Sequence, residues 1–277
     1  MISRRLALGA LIALAAAATV LADPAPPSLS ALVAGPQRSA ANKARDPWRH
    51  PLESLTFWGL KPTQTVIEID PGGGYWTEII APYLAAGGGH YVAGMSDPAS
   101  SDNAKKGHDA FAAKFADAKL YGPIDYAVFS SAGGLIAPAG SADLIMISRN
   151  VHNLMWVPGG LDRSLASFYA ALKPGGVLAV EEHRADPRPM VTDARDGYVS
   201  EASVVAAAAK AGFVLDARSE INANPKDTKD HPFGVWTLPP TLRSAPEGQP
   251  ANPAFDHTKY IAIGESDRMT LRFRKPA

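Results

Sequence analysis

A glycine-rich turn lies between the first predicted strand of the chain and the helix predicted to follow it. The apolar, β-branched run Thr65–Ile69 is followed directly by Asp70-Pro71-Gly72-Gly73-Gly74. Glycines in such a turn allow tight backbone dihedrals and let a ligand approach the main chain, while the helix N-terminus offers oriented N–H donors. A glycine-rich turn alone is a weak motif. Its position after a strand, with the acid Glu68 just before the turn, predicts a cofactor-binding site.

Predicted strands and helices alternate through the rest of the chain. The apolar runs show no clear polar alternation, which is typical of a sheet covered by helices on both faces. We therefore predict an α/β fold with a doubly wound, mostly parallel seven-stranded sheet. After the first strand, the predicted strands are 91–95, 125–130, 144–148, 177–181, 213–218 and 269–274, and the helices between them are 75–84, 103–115, 161–172 and 201–211.

We place this domain at residues 61–277. One segment precedes it and another interrupts it. Residues 23–60 are predicted to form an N-terminal helical extension. Residues 222–259 are rich in proline and contain no predicted element. Because long irregular segments in compact domains are usually lids or binding loops, we interpret 222–259 as an insertion over the ligand cleft.

The first 22 residues have the pattern of a cleaved signal peptide. Arg4 and Arg5 precede an apolar stretch from Leu6 to Leu21, and cleavage after Ala22 would leave a mature chain of 255 residues, 277 less 22. The alternative is a membrane anchor, but the stretch is shorter than the ~20 residues that a spanning helix needs. We expect a periplasmic or secreted protein with no stable membrane insertion.

The composition excludes several kinds of partner and chemistry. Lys plus Arg and Asp plus Glu both number 27, so the chain lacks the basic excess typical of nucleic-acid binding, and we expect a small-molecule substrate instead. The absence of cysteine excludes disulfides, thiolate nucleophiles and thiolate metal sites. The sequence does not determine the oligomeric state.

The glycine turn resembles the acid-x-Gly-x-Gly-x-Gly motif of class I S-adenosylmethionine (SAM) methyltransferases. Glu68, Gly72 and Gly74 match the motif, and Asp70 stands where the family usually has its first glycine. The resemblance extends from Thr63 to Lys275 and is closest to a branch of exported predicted methyltransferases. The further matching segments are 141–146, 172–178 and 211–213 for the family and 71–74, 149–153 and 264–269 for the branch.

This resemblance implies SAM as the cofactor and a Rossmann-like methyltransferase fold. Gly72, Gly73 and Gly74 would hold the methionine end of SAM, and Glu68 would fix the turn. The family's ribose-binding acid is replaced by Ser96, with Asp97 one residue later, so Asp97 either substitutes for that acid or is a solvated loop residue. The family's acid near the adenine is replaced around Ser131. The cofactor-binding set is therefore Glu68, Asp70, Gly72, Gly73, Gly74, Asp97, Ser131 and Arg149.

Polar residues after the fourth predicted strand form a second candidate site. Side chains at the carboxyl ends of parallel strands line the cleft of open α/β sheets, and here the resemblance places the substrate. His152 is the candidate general base, because the pKa of histidine lies near working pH, and Asn150 is a second candidate. In the alternative interpretation, His152 caps a helix and Asn150 satisfies the amides of a turn.

The end of the fifth predicted strand supplies the last candidates. Strand alternation places Glu181 and His183 on one face and Glu182 and Arg184 on the other, and we expect the second pair to reach the cleft. In the insertion, Asp227 or His231 would close over the substrate or belong to a surface loop. Four residues could in principle converge on a metal, but no two have a recognised ligand spacing, so we predict no metal site; they are His152, Glu182, His183 and His231.

These observations predict a SAM-dependent methyltransferase that acts on a small molecule, with His152, Asn150 and Glu182 as catalytic residues. Two alternatives stay open. The first is a non-catalytic ligand-binding protein with the SAM fold, and the second is a metal-dependent hydrolase or lyase on the same fold.

Overall fold

The structure is a computed structural model that describes residues 26–187 and 194–277. The predicted signal peptide, residues 1–22, lies outside the described residues. Within the described ranges, no helix has the length and apolarity needed to cross a membrane.

In the described part of the chain, seven strands form one sheet in the order β3-β2-β1-β4-β5-β8-β6. Strands β3, β2, β1, β4 and β5 run parallel, and β8 pairs antiparallel with both β5 and β6. The bounds are β1 Thr65–Ile69, β2 His90–Met95, β3 Ile124–Val128, β4 Ala142–Ser148, β5 Leu172–His183, β6 Val214–Ser219 and β8 Arg268–Arg274, while β7, Pro232–Val235, lies apart from this sheet. The predicted α/β fold is confirmed.

Helices cover both faces of the sheet and form the N-terminal extension. Serine side chains cap several of them: Ser101 accepts a hydrogen bond from the amide of Ala104, and Ser200 from that of Ser203. The helices are α1 Leu29–Ala34, α2 Ala40–Lys43, α3 Asp46–Arg49, α4 Pro51–Trp58, α5 Thr77–Gly87, α6 Asp102–Lys114, α7 Ala118–Tyr121, α8 Val151–Met155, α9 Gly160–Ala171, α10 Glu201–Lys210 and α11 Thr258–Ile263.

The core has one apolar cluster on each face of the sheet. Alternate residues of β1 belong to different clusters. Val66 packs with Trp58 and Ile80 on one face, and Ile67 packs with Phe168 on the other. Burial on both faces explains why the strand sequences lack polar alternation. It also leaves the carboxyl ends of the parallel strands as the place where a cleft can form.

The predicted insertion lies between β6 and β8, and it has more regular structure than expected. It contains β7 and the first residues of α11. Its buried Asp227 accepts hydrogen bonds from the amide of Asp267 at 2.8 Å and the hydroxyl of Tyr198 at 3.0 Å. These bonds attach the insertion to the start of β8 and to the loop before α10.

Candidate functional site

A cavity of about 560 Å³ opens at the carboxyl ends of β1, β4 and β5. Its size is that of a small-molecule site, and its position is the one expected for ligands of open α/β sheets. The wall combines the glycine turn, the residues after β4 and the end of β5 with parts of the N-terminal extension and the insertion. Among the predicted site residues, it contains Glu68, Asp70, Gly72, Gly73, Arg149, Asn150, His152 and His183.

The glycine turn presents its main chain to the cavity at Gly72. The backbone there has φ of +55°, and a Cβ atom added to Gly72 would meet no atom within 4 Å. Gly74 is different. Its φ is +76°, and an added Cβ would lie 2.3 Å from the ring of Phe115. Gly74 is therefore required as a glycine by the packing of the turn against Phe115 at the end of α6, and its predicted role in cofactor binding stays a prediction.

Glu68 is buried beneath the turn and joins three elements. Its Oε2 accepts hydrogen bonds from the hydroxyl of Tyr91 at 2.5 Å and from that of Thr77 at 3.0 Å. Burial raises the pKa of Glu68 to about 7, although both hydrogen bonds act in the opposite direction. These contacts hold the end of β1, just before the turn, against α5 and β2.

A smaller cavity of about 240 Å³ adjoins the first at the ends of β2 and β3. It contains Asp97 and Ser131, and Asp70 lines both cavities. The Oδ1 atom of Asp97 accepts a hydrogen bond from the amide of Ala99 at 2.8 Å, so this exposed carboxylate both stabilises its own loop and faces the cavity. Burial raises the pKa of Asp70 to about 6.

His152 and Glu182 form a buried pair where β4 and β5 end. The Nδ1 atom of His152 lies 3.0 Å from Oε1 of Glu182, and their side chains are 3% and 0% exposed. Because this carboxylate also accepts from backbone amides, the pair is best satisfied when Nδ1 donates to it, and in the neutral ring this leaves Nε2 as an acceptor. Nε2 has no hydrogen-bond partner among the described residues, and the ring lines the cavity.

Glu182 accepts four N–H groups in all. The amides of Val151 and His152 donate to Oε2 at 2.5 and 3.2 Å, and the amide of His183 donates to Oε1 at 2.7 Å. The carboxylate therefore caps the N-terminus of α8 and orients the imidazole of His152 at the same time.

His183 joins this pair, so three potential metal ligands lie within 4.8 Å of one another, which the sequence spacing did not indicate. Since hydrogen bonds already occupy the carboxylate of Glu182, an ion would have to displace them. The Nδ1 atom of His183 bonds to Ser266 at 2.5 Å, and burial together with the charge of neighbouring cations lowers the pKa of His183 well below its usual value. The fourth metal candidate, His231, bonds to Asp227 at 2.8 Å and is not part of this group.

Asn150 has a structural role. Its Nδ2 atom donates to the carbonyl oxygens of Ser148 at 3.1 Å and Asp70 at 3.3 Å, and its Oδ1 accepts from Asn153 at 2.7 Å. These bonds tie the ends of β1 and β4 together. They favour the alternative in which Asn150 satisfies the turn over the one in which it takes part in catalysis.

The expectation that Arg184 reaches the cleft is wrong, and Asp227 and His231 do not line the cavity either. Arg184 does not line the cavity and instead pairs with Asp267, just before β8, and Glu220, just after β6. Asp227 and His231 do not close over the cavity, since they bond to each other in the interior of the insertion. The insertion does reach the cavity, but through one threonine and a set of apolar and proline residues that carried no chemical signal; they are Thr241, Val235, Trp236, Pro239 and Pro240.

The cavity wall also contains a charged group that was not predicted from the sequence, formed by Arg45 and Arg49 of the N-terminal extension and Glu265 before β8. The spacing of four residues between the arginines places both on one side of a helical turn, which was a usable signal. Their pairing with Glu265, more than 200 residues away, was not visible in the sequence.

Comparisons with known proteins give the fold a family context. No family model matches the chain. A curated relative, the ubiquinone/menaquinone biosynthesis C-methyltransferase UbiE of Hydrogenovibrio crunogenus, is 27% identical over 150 residues. The match covers 54% of this chain and 53% of that protein, so the chain spans about half the length of the relative.

Solved structures resemble this one over most of its length. The [4+2]-cyclase SpnF has a TM-score of 0.58 at 15% identity and covers 88% of this chain and 86% of its own. A putative methyltransferase from Bacillus halodurans has a TM-score of 0.51 at 14% identity, covering 83% of this chain and 100% of its own. Together with the strand order, these similarities show that the chain has the class I methyltransferase fold.

Proposed function

We propose that this protein is a SAM-dependent methyltransferase that acts on a small molecule in the periplasm. The observation that carries the proposal is the His152–Glu182 pair in the wall of a cavity that begins at a glycine turn. The similarity to a C-methyltransferase and the fold support the same conclusion. The similarity to a cyclase is a reason to test the chemistry directly, because a fold alone does not determine function.

The residues present fit a SAM molecule laid across the two cavities. Gly72 leaves open space where a side chain would stand, so the main chain of the turn can contact the methionine end of the cofactor. Asp97 and Ser131 line the adjoining cavity, where the nucleoside end would lie. When bound, SAM supplies an electrophilic methyl group.

The chain's own contribution to the reaction centres on His152. With its Nδ1 proton held by Glu182, the imidazole presents Nε2 to the cavity as a proton acceptor. As His152 takes the acceptor's proton, the carboxylate of Glu182 stabilises the imidazolium that forms. The neighbouring His183 stays neutral because its pKa is strongly lowered, so it adds no competing charge. Trp236 and the prolines of the insertion add an apolar part to the cavity wall.

Transfer of an isotopic label tests the proposal. The mature protein is incubated with methyl-labelled SAM and a small-molecule extract of the native host, and label is followed into extractable products. We expect label in a discrete small molecule with wild type and a loss of at least ~10²-fold with His152→Ala. Label that never leaves SAM, although SAM binds, would instead support the non-catalytic alternative.

The hydrolase or lyase alternative has one specific observation in its favour, the grouping of His152, Glu182 and His183. Elemental analysis of the purified protein tests it. Stoichiometric zinc or another transition metal, removed by a chelator together with activity, would support that alternative over methyl transfer.

A further inference from the structure

Four buried or partly buried arginines share two carboxylates beside the cavity. Glu265 forms ion pairs with Nε of Arg45 at 2.5 Å, Nε of Arg49 at 3.0 Å and Nη1 of Arg268 at 3.0 Å. Arg268 also pairs with Glu181 at 3.1 Å, and Arg149 interacts electrostatically with both carboxylates. Four guanidinium groups against two carboxylates leave an excess of two positive charges in this cluster.

Each of the four arginines has a buried nitrogen without a partner among the described residues; that of Arg268 is Nε, and the other three belong to residues that line the cavity. Nη2 of Arg45, Nη2 of Arg49 and Nε of Arg149 are buried and make no hydrogen bond to any described residue. All three residues line the cavity, and the side chain of Arg49 is only 1% exposed. Since leaving a buried charged donor unpaired is costly, such atoms indicate a ligand that accepts from them.

The position of Arg49 is fixed before any ligand arrives. Its Nε is held by Glu265, and its guanidinium group lies 4.4 Å from the centre of the Tyr75 ring. Burial and the neighbouring charges of Arg149 and Arg268 lower the pKa of Arg49 to about 9. An anion beside the unpaired nitrogen would relieve this unfavourable environment, and little side-chain entropy would be lost on binding.

We propose that the substrate carries an anionic group, a carboxylate or a phosphate, that Arg45, Arg49 and Arg149 bind while His152 faces its acceptor atom. This inference rests on the proposed function. The carboxylate of SAM could also reach these arginines. However, SAM carries an ammonium and a sulfonium besides that carboxylate, so its net charge is positive. It would not offset the positive excess of the cluster, whereas an anionic substrate would.

Binding of simple anions to the protein saturated with S-adenosylhomocysteine tests the proposal. Inorganic phosphate and benzoate are titrated by calorimetry into the full mature chain at constant ionic strength. We expect saturable binding to wild type that is at least about tenfold weaker in Arg49→Gln and in Arg45→Gln, since each loses a charge-assisted hydrogen bond. Arg218→Gln removes an exposed arginine on β6 and should bind the anions as wild type does.

A second titration separates the two sources of the anion. S-adenosylhomocysteine has the amino-acid carboxylate and 5′-methylthioadenosine lacks it. One result would overturn the proposal: Arg49→Gln and Arg45→Gln weaken the binding of S-adenosylhomocysteine by tenfold or more and leave the binding of 5′-methylthioadenosine unchanged. The arginines would then hold the carboxylate of the cofactor. Failure of both anions to bind wild type, when S-adenosylhomocysteine binds, also overturns it and leaves the proposed function intact.

Two further results, a lack of S-adenosylhomocysteine binding and a variant that does not fold, still leave the proposal testable. If S-adenosylhomocysteine does not bind, the proposed function fails, and the anion titration is repeated on the free protein to decide the arginine site by itself. Circular dichroism establishes whether each variant folds. Arg45 is partly exposed, so Arg45→Gln should fold. If the buried substitution Arg49→Gln prevents folding, the anion titration of Arg45→Gln tests the proposal alone.

Discussion

The two ring nitrogens of His152 have different surroundings, and this difference defines its chemistry. Nδ1 is engaged by Glu182, and Nε2 belongs to the wall of the cavity. The sequence predicted His152 because a histidine follows a strand at the cleft edge. It could not predict that Glu182 caps α8 and orients the ring together, since the two residues lie 30 positions apart and meet only through the pairing of β4 with β5.

Loss of the imidazole should affect turnover and leave cofactor binding unchanged. For His152→Ala we expect the affinity for S-adenosylhomocysteine to stay within a few-fold and the single-turnover rate of labelling to fall by at least ~10²-fold, because a general base acts in the transition state. His108→Ala, at a histidine outside the cavity, is the matched control. A lowered melting temperature with an unchanged rate would assign His152 a structural role only.

Glu68 should make the stability of the protein depend on pH. Its pKa is about 7 in the folded protein against an ordinary value of 4.5, so the folded state binds this proton more tightly than the unfolded chain. The resulting stabilisation is complete below about pH 4.5 and is lost as pH rises through 7, a change on the order of 3 kcal/mol.

The variant Glu68→Gln keeps an acceptor for Tyr91 and Thr77 and cannot titrate. Between pH 4.5 and 7.5, the free energy of unfolding of wild type should therefore fall relative to that of the variant, as measured by urea denaturation. Asp70 titrates in both proteins, so its contribution cancels. A difference between the two proteins that stays constant with pH would contradict the buried position of Glu68.

At the level of elements, the sequence predicted the sheet well and the surroundings of the site poorly. The bounds of β1 match the prediction because a β-branched run meets a proline–glycine turn there. β5 begins at Leu172, five residues before the predicted start, because its first part contains a proline and two glycines at an irregularity of the pairing with β4, and such residues are typical of a turn. In the insertion, tertiary contacts determine the backbone conformation and the sequence has no helical or strand periodicity. For this reason, β7 and the start of α11 were not predicted.

The β1–α5 turn allows two substitutions that should act differently. Gly74→Val would drive a side chain into Phe115, so we expect a loss of several kcal/mol in stability. Gly72→Val enters open space, so only the strain of its positive φ, about 1–2 kcal/mol, should appear in the melting curve.

Cofactor binding distinguishes the same two variants. Folded Gly72→Val should fail to bind S-adenosylhomocysteine in calorimetry, because its side chain occupies the cavity that the turn lines. Binding by Gly72→Val as tight as that of wild type would show that the cofactor does not approach the turn.

At the scale of the whole molecule, the candidate site is assembled from segments that lie far apart in the sequence. Arg49 and Glu265 are 216 residues apart and meet in the cavity wall. Contacts of this separation arise from the order of the strands, which is why the glycine turn and His152 were predictable and the arginine cluster was not.

Export predicts a defined mature terminus. Protein purified from its native host should begin at Asp23, because the apolar stretch that precedes it reads as a cleaved signal. Intact mass spectrometry of the periplasmic fraction measures this directly. A chain that keeps Met1 and fractionates with membranes would contradict the signal-peptide prediction.

The central claim, that the cavity at the glycine turn holds SAM, is tested most directly by calorimetric titration of the wild-type mature chain with S-adenosylhomocysteine. The account predicts saturable binding of one molecule per chain with a dissociation constant below 1 mM, about −4 kcal/mol in free energy. Absence of any heat of binding at millimolar ligand, from protein that melts cooperatively, would contradict it.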